Sequence, residues 1–253
     1  ITLQDSIVAQ GLQPHSTGGL LVADGVSVLR SLYIDNNSRN PKARQKTQWV
    51  NNVVYNWVVS GYILGDTSGR SDGVMLGSYF IPGPETNGGT LDSPTASYHL
   101  HAAGNYYDSD KNGVLDGRLL GKGDFGSVTW ESAPSAVFPV VRELTAQQAY
   151  EHVVANAGAS LWRDEVDRFL ITELMSLGTK GATISDEASL GLVGNVGAIR
   201  AGAAAQDTDQ DGMPDSWETA HALSPSAPDD RNADRNGDGW TNLEEYLNGV
   251  AAK

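Results

Sequence analysis

The chain has 253 residues, with 31 Asp and Glu against 17 Lys and Arg, for a formal net charge of −14. That acidity argues against nucleic acid as the main partner, and the absence of cysteine excludes disulfides, thiol nucleophiles and thiolate metal sites. No stretch reaches the ~18 apolar residues of a membrane span; the most apolar late stretch, 188–205, is broken by glycines, Asn195 and Arg200 and reads as a connector. The charge is uneven. Residues 205–253 hold eleven acidic and three basic side chains, net −8, whereas residues 30–70 hold six basic and two acidic, net +4. The tail asks for a cation, and the earlier stretch for a confined anionic ligand.

Five segments repeat from the N-terminus onward: ITLQDSIVAQ from Ile1, VSVLRSLYIDN from Val26, TQWVNNVVYNW from Thr47, GVMLGSYFIPG from Gly73 and YHLHAAGNYYD from Tyr98. Each places a small polar residue at the matching position: Ser6, Ser31, Asn52, Ser78 and Asn105, with spacings of 25, 21, 26 and 27 residues. Alternation of apolar residues before that position means strand. A strand-and-turn repeat of this length means coils of a parallel β-helix, because one coil cannot bury its inner face and stacked coils can. The polar residues are expected to hydrogen-bond up the stack, as amide ladders do in cross-β structures. A β-sandwich is the competing fold, but the runs lack hairpin dipeptides between them.

Beyond about residue 118 the pattern turns helical. ELTAQQAYEHVVANAG reads as a helix capped by Thr145 and stopped at Gly158, and LWRDEVDRFLITELMSLG as a second, apolar at Leu161, Val166, Phe169, Leu170 and Leu174. Both are expected to cover an end or flank of the solenoid. Arg163, Asp164, Asp167 and Arg168 are expected to form surface ion pairs. His99 and His101 alternate on one strand and read as a structural pair.

The tail has calcium grammar. DTDQDGMPDSWE places Asp207, Asp209 and Asp211 at loop positions 1, 3 and 5, Gly212 at the turn, the Met213 carbonyl at 7, Asp215 at 9 and Glu218 at 12. DRNGDGWTNLEE repeats it with Asp234, Asn236, Asp238, Trp240 through its carbonyl, Asn242 and Glu245. Oxygen donors at these spacings suit Ca2+ and suit zinc or copper poorly. DSDKNGVLDG, 108–117, is a partial match that lacks an acid at position 12, where Leu119 stands. The chain is thus divided into later solenoid coils with helical cover (1–190), a linker (191–206) and paired calcium loops (207–253).

The basic stretch SRNPKAR, 38–44, lies between two coils. Extended connectors there can project several cations from one side of the stack, and guanidinium groups grip carboxylates through paired hydrogen bonds. A polymer of uronic acids presents carboxylates at regular intervals along a groove.

HSTGGLLVADGVSVLRSLYIDNNSRNPKARQKTQWVNNVVYNW resembles the central segment of bacterial pectate lyases of polysaccharide lyase family 1, and the tail resembles the calcium-loop, thrombospondin type 3-like extension of such enzymes. The resemblance implies an all-β, right-handed parallel β-helix with its N-terminal coils lying before Ile1. It implies a secreted bacterial enzyme that cleaves α-1,4-polygalacturonate by calcium-assisted β-elimination, leaving unsaturated oligogalacturonides. Within the R-x-P-x-x-R pattern, Arg39 takes the role of base and Arg44 that of carboxylate clamp, with Lys42 between them and His15 beside them as substrate contacts. Arginine is a reluctant base, so this role depends on nearby positive charge. Two departures follow from the same resemblance: the family's catalytic calcium ligands fall before Ile1, and its substrate-binding lysine near HSTGG has no counterpart. The alternatives are a non-catalytic, calcium-stabilised carbohydrate-binding or surface module on the same solenoid, and a pectin lyase. The cationic cluster disfavours the latter, because esterified pectin carries little charge.

Overall fold

The computed structural model describes residues 1–65, 69–198 and 202–251, and the chain divides into two compact units, Ile1–Ala198 and Ile199–Lys253. Residues 199–201, in the expected linker, lie outside the described residues.

The first unit is a parallel β-solenoid of about five turns built from three sheets. One sheet, A, stacks β1 (Thr2–Gln4), β4 (Asp24–Leu29), β7 (Lys46–Val50), β10 (Ser71–Leu76), β13 (Tyr98–Ala103) and β16 (Thr129–Trp130). The next, B, stacks β2 (Ile7–Ala9), β5 (Leu32–Ile34), β8 (Val53–Tyr55), β11 (Tyr79–Ile81) and β14 (Tyr106–Tyr107), and is closed by β15 (Arg118–Leu119) running antiparallel to β14. The third, C, stacks β3 (Leu20–Leu21), β6 (Lys42–Ala43), β9 (Ser60–Leu64) and β12 (Gly89–Asp92).

The corner between sheets A and B explains the repeat. Each turn uses one residue in the left-handed region, Asp5, Arg30, Asn51, Gly77 or Gly104, and then the small polar residue. That polar side chain accepts the backbone N–H of its counterpart one coil earlier: Ser31 Oγ from Ser6 at 3.2 Å, Asn52 Oδ1 from Ser31 at 2.8 Å, Ser78 Oγ from Asn52 at 3.1 Å and Asn105 Oδ1 from Ser78 at 3.0 Å. The two asparagines also donate to carbonyls of the preceding coil, Val28 and Met75, at 2.8 Å each. Buried backbone groups that a sharp corner would strand are thereby satisfied.

Alternation along the strands sets two cores. Val28, Tyr33, Trp49, Val54, Met75, Phe80 and Leu100 point inward and fill the solenoid. Leu32, Ile34, Val53, Tyr55, Tyr79 and Ile81 face outward from sheet B and would be exposed, but helices α1 (Ala146–Asn156) and α2 (Glu165–Met175) cover them with Val153, Leu170, Ile171 and Leu174. The helical cover thus lies on a flank. Thr145 caps α1 as expected, in a reciprocal pair with Gln148. The second helix starts later than its pattern indicates. Asp164 is its N-cap, and Leu161 sits in a preceding short turn, 55% exposed. The four charged residues there do not form the expected ion pairs. Asp164 accepts from the Asp167 N–H, Asp167 from the Ala159 N–H, and Arg163 donates to the Ala157 carbonyl. A helix start leaves N–H groups without partners, and these carboxylates serve them first.

The second unit holds α3 (Asp215–Ala220) and α4 (Asn242–Ala251), each following one of the tail loops.

Candidate functional site

The basic stretch leaves sheet B after β5 and enters sheet C at β6. Its backbone is gripped from both neighbouring coils. The Arg39 carbonyl accepts from the Gly19 N–H at 2.8 Å, Asn40 N–H donates to the Gly61 carbonyl at 2.8 Å, and buried Asn40 Nδ2 donates to the Ser60 carbonyl at 3.2 Å. Gly18 has to be glycine here. A Cβ at that position would lie 2.8 Å from both the Arg39 carbonyl and Asn40 Oδ1, and 2.9 Å from the Tyr33 ring. Arg39 adopts φ 55°, one of several left-handed corner residues of the solenoid. Alternation within β6 turns Ala43 into the core and leaves Lys42 half-buried at the surface.

Arg39, Lys42 and Arg44 come together. Burial and the flanking charges of Arg44 and Arg39 hold the Lys42 ammonium below its ordinary value. Among the described residues, no hydrogen bond or ion pair holds the Arg39 guanidinium, which is half-buried. The neighbouring Lys46 is spent on Asp24, at 2.8 Å. His15 is exposed in the turn just before Ser16, whose hydroxyl accepts from the Asn37 N–H at 3.1 Å, so its turn stacks directly on the one that carries Arg39. The corner therefore concentrates positive charge at one edge of the solenoid.

A second polar patch lies on the outer face of sheet A. His99 Nδ1 meets Glu131 Oε1 at 2.7 Å, His101 Nδ1 meets the Glu131 carbonyl at 3.2 Å, and Arg70 pairs with Asp72 at 2.6 Å around a cleft of about 150 Å³. Glu131 gave no signal in the sequence, because it lies just past β16, which pairs with β13 from 30 residues on.

In the tail, carboxylates converge and several of their oxygens lack partners. Asp207, Asp209 and Asp211 bring oxygens within 4.8 Å of one another, and Asp211, Glu218 and Asp230 do the same. Both carboxylate oxygens of Asp209 and of Glu218, together with Asp211 Oδ2 and Asp230 Oδ1, are buried with no hydrogen-bond partner. Glu218 is fully buried, and burial together with the surrounding aspartates raises its carboxyl to about 7. Buried anions in that arrangement call for a cation. Met213 is buried at the turn, while Asp215 is turned toward Thr208, accepting from its N–H and hydroxyl at 2.7 Å each. Asp230 was missed in the sequence because it lies outside the loop register.

The second loop is tied more tightly. Asp234 accepts from the Gly237, Asp238 and Gly239 N–H groups, and Glu245 receives Arg235 at 3.0 Å as well as the Asn236 amide. Asp238 accepts from the Trp240 N–H at 2.9 Å, and Asn242 donates to the Asp230 carbonyl at 2.7 Å.

No protein-family model matches the chain. It is 42% identical over 254 residues to a protein of Neosartorya fischeri and to one of Aspergillus fumigatus, and 42% identical over 258 residues to one of Emericella nidulans; all three are named "Probable pectate lyase C". Among solved structures, that of a thermostable pectate lyase matches 64% of this chain and 42% of its own, at TM-score 0.42 and 14% identity. The alignments with the Neosartorya and Aspergillus proteins take in 99% of this chain, and the chain in turn spans 59% of their length.

Proposed function

We propose that this chain carries the cationic wall of a pectate lyase and acts on α-1,4-polygalacturonate by β-elimination. The observation that carries the reading is the convergence of Arg39, Lys42 and Arg44 at one corner of the solenoid, with the Arg39 guanidinium held by no described residue. The similarity to proteins named pectate lyase supports it. In this reading Arg44 and Lys42 hold uronate carboxylates and His15 borders the groove. The Arg39 side chain, in neutral form, takes the C5 proton, the electron pair becomes the C4=C5 double bond, and the 4-oxygen leaves and takes up a proton. The positive field reported by Lys42 favours the anion that develops on the carboxylate as C5 loses its proton.

Calcium belongs to the same reading. In the first tail loop the unpartnered oxygens of Asp209, Asp211, Glu218 and Asp230 fit a hard cation. The second loop, from Asp234 to Glu245, fits less completely because Arg235 and Asn236 already face Glu245. The role in both loops is to hold the tail together. Acidic clusters among the described residues include no residue of the basic corner. The enzyme is read as secreted. No described helix is long and apolar enough to cross a membrane, and the relatives are fungal, which lends no support to a bacterial source.

The test is the ultraviolet absorbance of the unsaturated product when polygalacturonate is added. The wild-type chain is expected to generate it, and Arg39→Ala to abolish it while still binding substrate. Polygalacturonate binding with no product in either protein would leave a carbohydrate-binding module and overturn the catalytic reading.

A further inference from the structure

The solenoid unit has an acidic loop of its own that neither the basic corner nor the tail accounts for. Between β14 and β15, Asp108, Asp110 and Asp116 bring carboxylate oxygens within 4.8 Å of one another. Asp108 is only 3% exposed, and its Oδ2 is buried with no hydrogen-bond partner. A buried carboxylate oxygen aimed at two further carboxylates is stabilised by a cation between them.

The loop also shares its backbone with the two tail loops. The fourth and sixth residues are left-handed in all three: Lys111 and Gly113 at 55° and 84°, Gln210 and Gly212 at 61° and 98°, Gly237 and Gly239 at 74° and 95°. In each, the seventh residue's N–H donates to the fifth side chain: Val114 to Asn112 at 2.7 Å, Met213 to Asp211 at 2.8 Å and Trp240 to Asp238 at 2.9 Å. The difference is at position 12, where Leu119 sits in β15 and offers no side-chain oxygen.

We propose that Asp108, Asp110 and Asp116 form a calcium site of the solenoid unit, which clamps the last coil to the helical cover. The donors are all oxygens, which selects a hard cation. The donors sit on an irregular loop, which suits the larger Ca2+, with its flexible coordination, better than Mg2+, which demands near-ideal octahedral geometry. The affinity belongs to the weak extracellular range, on the order of 10⁻⁴–10⁻³ M. The loop's other contacts give the site its role. Gly113 N–H donates to the Leu177 carbonyl just past α2 at 3.1 Å, Lys111 Nζ to the Thr86 carbonyl beyond β11 at 3.0 Å, and Gly117 N–H to the Tyr79 hydroxyl on β11 at 2.9 Å. Gly178 lets the helix end approach, since a Cβ there would lie 2.5 Å from Lys111 Cα. An ion that orders this loop therefore fixes the end of α2 against sheet B. The proposal is independent of whether the chain cleaves pectate.

The test uses the full chain stripped with chelator and titrated with CaCl2, and in parallel with MgCl2. Bound calcium is counted by calorimetry, and melting of the solenoid is followed by near-ultraviolet circular dichroism. Asp108→Asn and Asp110→Asn are each expected to lower the count by one per chain and to remove the calcium-dependent rise in melting temperature. Glu218→Gln should also lower the count by one but leave that rise in place. In chelator, Asp110→Asn should melt no lower than wild type, because it relieves repulsion among the three carboxylates. Asp110 is exposed, so that variant decides the matter if Asp108→Asn fails to fold. An unchanged calcium count and an unchanged rise in Asp110→Asn would overturn the proposal, as would a rise given equally by Mg2+.

Discussion

Replacing Asn52 by alanine tests the corner ladder most directly. Asn52 is fully buried, and its side chain makes two hydrogen bonds, accepting from the Ser31 N–H and donating to the Val28 carbonyl, both at 2.8 Å. Alanine leaves both of those backbone groups buried and unsatisfied, at about 1–3 kcal/mol each, so the loss is about 2–6 kcal/mol. Serine should behave differently. Ser31 and Ser78 occupy the neighbouring rungs and accept the incoming N–H at 3.2 and 3.1 Å. Asn52→Ser should therefore keep that acceptor, lose only the reach to Val28, and cost about 1–2 kcal/mol. The assay is urea unfolding followed by tryptophan fluorescence, since Trp49 and Trp57 are both fully buried in the solenoid core. An alanine variant within about 0.5 kcal/mol of wild type, or serine as costly as alanine, would refute the ladder as a source of stability.

Three further outcomes follow. Gly18→Ala should displace the Arg39 backbone that its Cβ would meet at 2.8 Å, so lyase activity should fall at least tenfold while the melting temperature drops only a few degrees; equal and small effects on both would count against a rigid corner. Asp35 is fully buried, and its carboxyl is raised by burial, then by Glu173 and Glu85, while Glu173 is raised by its own burial. The folded chain therefore keeps a proton that the unfolded chain has lost above the ordinary carboxyl range, and stability falls as pH rises through that window; Asp35→Asn should flatten the fall in melting temperature between pH 6 and 9, and an unchanged slope would be the contrary result. In Glu218→Gln, calcium affinity of the tail should drop at least tenfold by calorimetry with lyase activity intact; loss of activity would place the tail's cation in the chemistry.

Much of the solenoid was legible because its repeat is local. Ser6, Ser31, Asn52, Ser78 and Asn105 could be aligned by spacing alone, and hydrogen bonds to one another are their structural role. Thr145 could be read as a cap because its partner Gln148 is three residues away. What escaped was non-local or a competition between roles. Asp35 and Glu173 meet only once α2 docks on sheet B, and nothing near either residue signals the other. Asp230 joins the first tail loop from a separate turn. Leu161 fits a helical stripe, but Asp164 is the better N-cap and starts the helix after it. At the basic corner the residue types and order were readable from the R-x-P-x-x-R spacing. The tight packing of Gly18 against the Arg39 turn was not, because it depends on how two coils stack.

The reversal of β15 against β14 bears on where the parallel stack of sheet B ends. A stack of parallel rungs has no intrinsic length, and an open terminal rung would accept the equivalent rung of another copy, as fibrils do. At this end of sheet B the final strand runs the wrong way for that repeat, pairing Tyr106 with Leu119 and Tyr107 with Arg118. It also carries the Arg118–Asp124 ion pair at 2.6 Å on its outer side. The antiparallel return thus ends the parallel repeat of sheet B and denies an incoming strand a matching parallel template there.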